Sequence, residues 1–125
     1  MMKGSEGFEF EKWLDQAMDK ETIERVKKTL VDASEKNEIE LEEVIVFGSR
    51  AREDYRKDSD IDLLIVSSGF EGVQWNKRSR TFYLEWDYDE MPEPEFICLT
   101  PEEFEDKKDR EPHIVNTAVA EGVSI

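Results

Sequence analysis

The sequence predicts an α/β (α+β) fold in which a small mixed sheet is flanked by helices. Three observations support this fold class. Apolar residues recur with helical spacing in the first third of the chain, short continuous apolar runs typical of buried strands follow, and segments with helical patterning separate those runs. The length of 125 residues suits one domain built around one hydrophobic core.

The predicted domain organisation is simple. Residues 1–7 are expected to form a disordered tail, and residues 8–125 a single domain. Within that domain we expect a helical extension over residues 8–37 and a core over residues 41–125. Residues with linker or repeat character are not apparent, so nothing in the pattern divides the domain further.

The elements are predicted from apolar spacing and from the residues that begin and end helices. The N-terminal part is expected to form a helix at 8–18 and a helix at about 20–36 capped by Asp19, or one kinked helix across both. Three strands are expected at 44–47, 61–66 and 96–99, with a short helix at 50–54 after the first and a helix at 74–86 after the second. Two helices are expected to follow the third strand, one begun by Thr100 and Pro101 and a last one at about 113–121 ended by Gly122.

Composition excludes several classes of function. The 32 acidic and 17 basic side chains give a formal net charge of −15, which would repel a nucleic-acid backbone. Cys98 is the only cysteine, so an intramolecular disulfide and a cysteine-rich metal site are both excluded. The sequence has no apolar run near the ~20 residues of a membrane span. Because Met1 to Gly7 also lack a signal region, we expect a cytoplasmic protein without a membrane partner.

Two aspartates stand where the second predicted strand begins. Asp60 and Asp62 flank Ile61, so their side chains share one strand face with Cα atoms ~6.6 Å apart. Paired carboxylates beside an apolar strand repel each other, and a hard divalent cation such as Mg²⁺ would neutralise them. The alternative is that they are solvated turn residues, which is the better explanation for such a pair taken alone.

A second pattern ends the first predicted strand. Gly48 permits close approach of the backbone to a ligand, and Ser49 precedes a predicted helix whose N-terminal N–H groups could bind phosphate. Taken alone, a plain turn explains these two residues better. However, ten residues separate Ser49 from Asp60, and the two patterns would meet at one end of adjacent strands, where ligands bind in open α/β sheets.

These motifs resemble those of a known family. Residues 46–52 (Val-Phe-Gly-Ser-Arg-Ala-Arg) and 59–66 (Ser-Asp-Ile-Asp-Leu-Leu-Ile-Val) are similar to the signature of minimal nucleotidyltransferases in the DNA polymerase β-like superfamily. The resemblance runs from about Leu41 to the C-terminus. It implies a polymerase β-like nucleotidyltransferase fold to which the N-terminal helices are an addition. Many members of the family are antitoxins encoded beside a HEPN toxin.

The resemblance also implies roles for individual residues. The family has a third carboxylate on the strand before a Thr-Pro-Glu-Glu-Phe segment; that segment is present here at 100–104, and the matching position holds Glu95 where aspartate is usual. Asp60, Asp62 and Glu95 would then be catalytic and hold two Mg²⁺ ions, with Mn²⁺ as another option. The residues implied to bind the nucleotide are Gly48, Ser49 and Arg52.

The activity implied by the resemblance is metal-dependent transfer of a nucleoside monophosphate, AMP from ATP, to a hydroxyl acceptor. With room for only one domain, we expect a partner protein to present the acceptor, and the family points to a tyrosine of a HEPN toxin. Two alternatives remain open. The chain could be a non-catalytic antitoxin that acts by binding, with Glu95 marking a drifted site, or it could modify a small molecule of the aminoglycoside type.

The remaining features have simpler interpretations. Lys77, Arg78 and Arg80 form a basic cluster that is expected to be the solvated face of a helix, with contact to the nucleotide or an acidic partner as the alternative. Trp75, Phe82 and Trp86 are expected in the core; if exposed, they would mark a partner surface. Cys98 is expected in the core and His113 at the surface.

Overall fold

The computed structural model describes residues 20–48, 60–110 and 113–125. The predicted tail at 1–7 and the predicted helices at 8–18 and 50–54 lie outside these residues. The elements are α1 (Lys20–Lys36), β1 (Glu43–Phe47), β2 (Ile61–Val66), α2 (Arg80–Glu85), β3 (Pro94–Leu99), α3 (Pro101–Lys107), α4 (Ile114–Glu121) and β4 (Val123–Ser124). Two 3-10 turns, Ser68–Phe70 and Trp75–Lys77, lie between β2 and α2.

The four strands form one mixed sheet in the order β3-β2-β1-β4. β1 pairs antiparallel with both β2 and β4, whereas β2 pairs parallel with β3. The predicted α/β class with a small mixed sheet is therefore confirmed. The edge strand β4 was not predicted, because two residues are too few to show the period-two alternation that identifies a strand.

Side chains from the two sides of the sheet form two separate hydrophobic clusters. One face packs on α1 and α2, through a cluster that includes Val26, Leu30, Leu63, Ile65 and Phe82. The other face packs on α4, through a cluster of Ile45, Phe47, Leu64, Val66, Leu99, Val115 and Ala118. Burial on both faces explains why β1 and β2 read as continuous apolar runs rather than alternating ones.

Helix α1 has the predicted bounds from residue 20 to residue 36. Its buried apolar residues are spaced by three and four, and all of them belong to the first cluster: Ile23, Val26, Leu30 and Ala33. Arg25 forms an ion pair with Glu21, four residues earlier, at 2.8 Å. Lys28 forms one with Asp32, four residues later, at 2.9 Å. The part of the predicted helical extension that is described is thus a layer of the core.

The prediction of one helix over residues 74–86 was wrong. A 3-10 turn occupies Trp75–Lys77, and α2 begins only at Arg80. The side chain of Arg78 accounts for the interruption, because its Nε donates to the carbonyl of Val73 and closes the chain into a loop. Phe82 and Trp86 are buried as predicted, but Trp75 is 56% exposed, so its predicted place in the core was also wrong.

The start of α3 and the end of α4 are as their capping residues predicted. Thr100 and Glu103 form a reciprocal capping box at the start of α3, with Pro101 in its first turn. At α4 the imidazole Nδ1 of His113 accepts a hydrogen bond from the N–H of Val115, so the ring acts as the helix cap. Gly122 ends α4, and the chain then enters β4.

Candidate active site

The end of β1 and the beginning of β2 lie side by side. In the antiparallel β1–β2 ladder Phe47 is paired with Asp62, so Gly48, the next residue after β1, reaches the region that Asp62 occupies. This arrangement brings the two sequence patterns to one end of the sheet. Ser49 and Arg52, which were also predicted to bind nucleotide, lie outside the described residues.

The neighbouring strand adds a second carboxylate at the same height. In the parallel β2–β3 ladder Asp62 is paired with Glu95, which places their Cα atoms ~4.8 Å apart. Paired residues of adjacent strands project from the same face of a sheet, and here it is the face that packs on α4. Asp60 precedes Asp62 by two residues and, continuing the alternation, belongs to that face as well.

The three carboxylates stand at the edge of the hydrophobic cluster, where the sheet meets water. Asp60 and Glu95 are exposed and Asp62 is half-buried, whereas Leu64 on the same face is completely buried. The backbone N–H of Ile61 donates to the carbonyl of Glu93 at 2.9 Å, which fixes the two strands to each other at this end. The site is thus open to a ligand from solvent, and its base is formed by hydrogen-bonded strands.

Gly48 makes the close approach that its residue type predicted, and the group it approaches is Asp62. Its φ angle is +77°, in the left-handed region that disfavours side chains. A β-carbon built on Gly48 would lie 2.0 Å from Oδ2 of Asp62, closer than any non-bonded contact permits. The space that a side chain would fill is therefore taken by the Asp62 carboxylate.

The donor set fits a hard divalent cation in chemistry and in backbone position. Carboxylate oxygens are the ligands that Mg²⁺ and Mn²⁺ prefer, and Asp62 and Glu95 are ladder partners. Within residues 20–48, 60–110 and 113–125, however, no three histidine, cysteine, aspartate or glutamate side chains converge around a common point. Like-charged carboxylates repel when no cation separates them, so convergence of the three would require side-chain rotation.

Glu93 is a neighbour of the site that the sequence did not single out. It precedes Pro94, which pairs with Ile61, so a continued register places Glu93 beside Asp60. Glu93 and Glu95 are two residues apart, as are Asp60 and Asp62. This matching period of two is the sequence signal for Glu93, whereas the family pattern points to Glu95 alone.

Arg78 forms its hydrogen bonds with groups other than these carboxylates, and the prediction that it is solvated was wrong. It is buried and donates to both carboxylate oxygens of Glu103, with Nη1–Oε1 at 2.6 Å and Nη2–Oε2 at 3.2 Å. Nη1 also donates to the carbonyl of Cys98 at 3.2 Å. The hydrogen bond from Arg78 is the main reason why the pKa of Glu103 is lowered to about 2. Arg78 is therefore a structural residue.

Cys98 and His113 have no part in the site. Cys98 is buried in β3, and its burial raises the pKa of the thiol to about 12, so the thiolate needed for nucleophilic chemistry is not formed at neutral pH. His113 uses Nδ1 as a helix cap, as described above.

In the part of the chain that the structure describes, no helix combines the length and apolar character needed to cross a bilayer.

Comparisons with known proteins concern the family and the fold of the chain. A sequence model described as "Nucleotidyltransferase domain" matches residues 23–125. The crystal structure of a protein from Sulfolobus solfataricus, itself only provisionally assigned as a nucleotidyltransferase, superposes with a TM-score of 0.56. The two sequences are 27% identical, and the match covers 78% of this chain and 81% of the other. No curated protein sequence matches at a significant level.

Proposed function

Because the chain belongs to the nucleotidyltransferase domain family, whose members transfer a nucleoside monophosphate from a nucleoside triphosphate, we propose that it transfers AMP from ATP to a hydroxyl group of a protein. The proposed acceptor is a tyrosine of a partner HEPN toxin, so that the chain acts as an antitoxin in the cytoplasm. The domain assigned to this activity is residues 8–125, with the core at 41–125.

The observation that carries the proposal is the ladder pairing of Asp62 with Glu95, with the Gly48 backbone against the Asp62 carboxylate. A sheet that held these residues only for its own stability would gain nothing from two adjacent carboxylates, because like charges opposite each other destabilise a ladder. A positively charged ligand bound to both carboxylates would make their proximity stabilising. The pairing therefore supports the proposal of a metal-dependent phosphoryl-transfer site.

The proposed catalytic residues are Asp60, Asp62 and Glu95, and they would hold two Mg²⁺ ions, or Mn²⁺ in their place. When bound, such ions supply positive charge to the attacking and leaving oxygens of a phosphoryl transfer. The protein's part is positional. The β2–β3 ladder fixes Asp62 and Glu95 relative to each other, and the contact with Gly48 limits where the Asp62 carboxylate can turn.

The nucleotide would lie with its triphosphate toward Gly48, Ser49 and Arg52. In the proposed reaction the acceptor oxygen attacks the α-phosphorus of ATP and forms a P–O bond to it. The bond from that phosphorus to the oxygen bridging to the β-phosphate breaks, pyrophosphate leaves, and the acceptor proton passes to water or a site carboxylate. Glycine at position 48 lets the Asp62 carboxylate lie against the backbone next to the proposed triphosphate position.

Two observations support a protein acceptor. The net charge of −15 opposes approach of a nucleic acid, which the related polymerases would use. The Gly-Ser and Asp-x-Asp motifs resemble those of family members paired with HEPN toxins. An AMP group placed on a tyrosine near an RNA-cutting site would add negative charge and repel the RNA backbone, which gives a physical reason for silencing.

The test is incubation of the chain with the small helical protein encoded beside it, ATP and Mg²⁺, followed by mass spectrometry of that protein. We expect addition of one AMP group to a tyrosine, abolished by Asp60→Asn and by Asp62→Asn. An inhibited but unmodified partner would overturn the proposal in favour of an antitoxin that acts by binding. A partner that is neither modified nor inhibited would redirect the search to small-molecule acceptors such as aminoglycosides.

A further inference from the structure

A groove of about 250 Å³ lies at the end of the sheet opposite the carboxylates. The residues after α1, the turn after β2, and α2 form its walls, and Ile39, Val73, Lys77, Arg80 and Leu84 are among its lining residues. β2 separates it from the site, because Asp62 lies near the first residue of β2 and the turn at Ser68–Phe70 follows the last, ~17 Å further along. The groove is thus distinct from the candidate active site.

The rim of the groove exposes apolar side chains. Leu84 projects from α2 with 76% of its surface exposed, the highest value among the large exposed hydrophobic residues of the described chain. Val73 is 36% exposed on the opposite wall, and Trp75 nearby is 56% exposed. The short helix α2 buries Phe82 in the core, so its other side is left to water. Such a surface stabilises a complex when a partner covers it.

The charge of the groove is opposite to that of the rest of the molecule. Six other basic side chains form ion pairs within the described residues: Arg25, Lys28, Lys36, Arg78, Lys108 and Arg110. Lys77 and Arg80 are exposed and form no ion pair there, and the same is true of the ion pairing of Lys27 and Lys107. Lys77 and Arg80 differ from those two lysines because both line the same groove, whose described lining residues include no aspartate or glutamate. The groove thus combines two cations with exposed apolar surface, in contrast to the net charge of −15 of the whole chain.

We propose that this groove binds a segment of a partner protein that carries both acidic and apolar side chains. The acidic groups pair with Lys77 and Arg80, and an apolar side chain packs between Val73 and Leu84. A second copy of this chain is disfavoured, because two molecules of charge −15 repel each other, and the same field opposes a nucleic acid or an anionic membrane. The proposal does not depend on the transfer reaction.

The basic cluster contains one buried structural residue, Arg78, and two exposed cations, Lys77 and Arg80. Arg78, between the two exposed cations, is bound to Glu103 and to the carbonyls of Val73 and Cys98. Those bonds hold the backbone of the turn Trp75–Lys77 in place, so Lys77 is presented from a fixed support. A preordered binding surface costs less entropy on association than a mobile one.

The test begins with selection of random 16-residue peptides displayed on phage against the whole chain. We expect enrichment of sequences that combine Asp or Glu with apolar residues, and about tenfold weaker binding of the resulting synthetic peptide to the double variant Lys77→Glu, Arg80→Glu. Leu84→Ser should weaken binding several-fold. Lys27→Glu changes an exposed lysine on α1 and is the matched control, for which binding should stay within twofold of the wild type.

Four outcomes would overturn the proposal. These are failure to enrich any peptide, enrichment of basic or purely apolar peptides, equal weakening by Lys27→Glu, and full displacement of the peptide by millimolar inorganic phosphate, which would identify a small-anion site. Circular dichroism of each variant checks that the fold is kept. ATP binding should be unchanged in the groove variants, so this test remains separate from that of the proposed transfer.

Discussion

Oδ2 of Asp62 lies where a β-carbon of residue 48 would be, 2.0 Å from the position that such an atom would take on Gly48. Gly48 directly follows β1 and Asp62 lies on β2, and the Phe47–Asp62 ladder pair brings them together. The sequence alone gives glycine a general reason to be at a turn. The structure gives a particular one, because the carboxylate at the candidate active site occupies the missing side chain's space.

Gly48→Ala should therefore impair the site beyond its effect on the backbone. The positive φ angle costs about 1–2 kcal/mol of stability for a residue with a β-carbon. In addition, the new methyl group must push the Asp62 carboxylate aside, so metal-dependent ATP affinity should fall at least about tenfold. Isothermal titration calorimetry with ATP and Mg²⁺ measures the affinity, and thermal unfolding measures the stability.

Gly72→Ala is the matched control for this substitution. Gly72 has a φ angle of +78°, nearly the same as Gly48, but no atom of the described residues lies within 4 Å of the position of its absent β-carbon. It should show the same loss of stability and an unchanged ATP affinity. If both variants bound ATP like the wild type, the contact between Gly48 and Asp62 would have no bearing on nucleotide binding.

Glu95 and Glu93 can be separated by substitution of one at a time. Glu95 is the ladder partner of Asp62, so Glu95→Gln should lower Mn²⁺ affinity at least about tenfold by removing a charged oxygen ligand. Glu93→Gln, two residues earlier, should have less than a twofold effect. Electron paramagnetic resonance of free Mn²⁺ measures both. The reverse pattern would show that Glu93 is the third carboxylate and that Glu95 was assigned wrongly.

The parts of the fold that the sequence predicted are those determined by local pattern. Strand β2 has the predicted bounds of 61–66 because burial on both faces makes every residue except Asp62 apolar. Helix α1 was predicted because four buried residues repeat at helical spacing over 17 residues. The start of α3 was predicted because the capping box is a chemical arrangement contained within four residues.

The parts that were missed depend on contacts between distant residues. Arg78, whose bond to the carbonyl of Val73 accompanies the interruption of the predicted helix over 74–86, is held in place by Glu103, which is 25 positions away on α3. No periodicity within the segment contains that information. The same limit applies to the site. Spacing predicts that Asp60 and Asp62 share a face, but the register that pairs Asp62 with Glu95 was available only through the family resemblance.

Cys98 should serve as a reporter of unfolding. Its thiol is buried in β3 and burial raises its pKa to about 12, so alkylation requires opening of the sheet. At pH 8 we expect iodoacetamide to label the folded chain at least a hundredfold more slowly than the chain in guanidinium chloride. Asp62→Asn should not accelerate labelling if it leaves the fold intact. Equal rates in folded and unfolded chains would contradict the buried position of Cys98.

The pair formed by Arg78 and Glu103 should make stability depend on acid pH. Glu103 has a pKa of about 2 in the folded chain, against a usual 4.5, because Arg78 donates hydrogen bonds to its carboxylate. A lowered folded-state pKa stabilises the protein above pH 4.5, and the contribution is lost as pH falls from about 4.5 to about 2. Glu103→Gln should thus cost about 1.5 kcal/mol of unfolding free energy at pH 7, the low end for a charged hydrogen bond, because part of the Glu103 side chain is exposed to screening water. The difference should shrink toward zero near pH 2.

Glu102→Gln, an exposed neighbour in the same helical turn, should show only the small contribution of a charge near a helix N-terminus. Urea unfolding of the three proteins between pH 7 and pH 2 measures the differences, and a Glu103→Gln difference that stays constant with pH would show that the ion pair does not stabilise the fold.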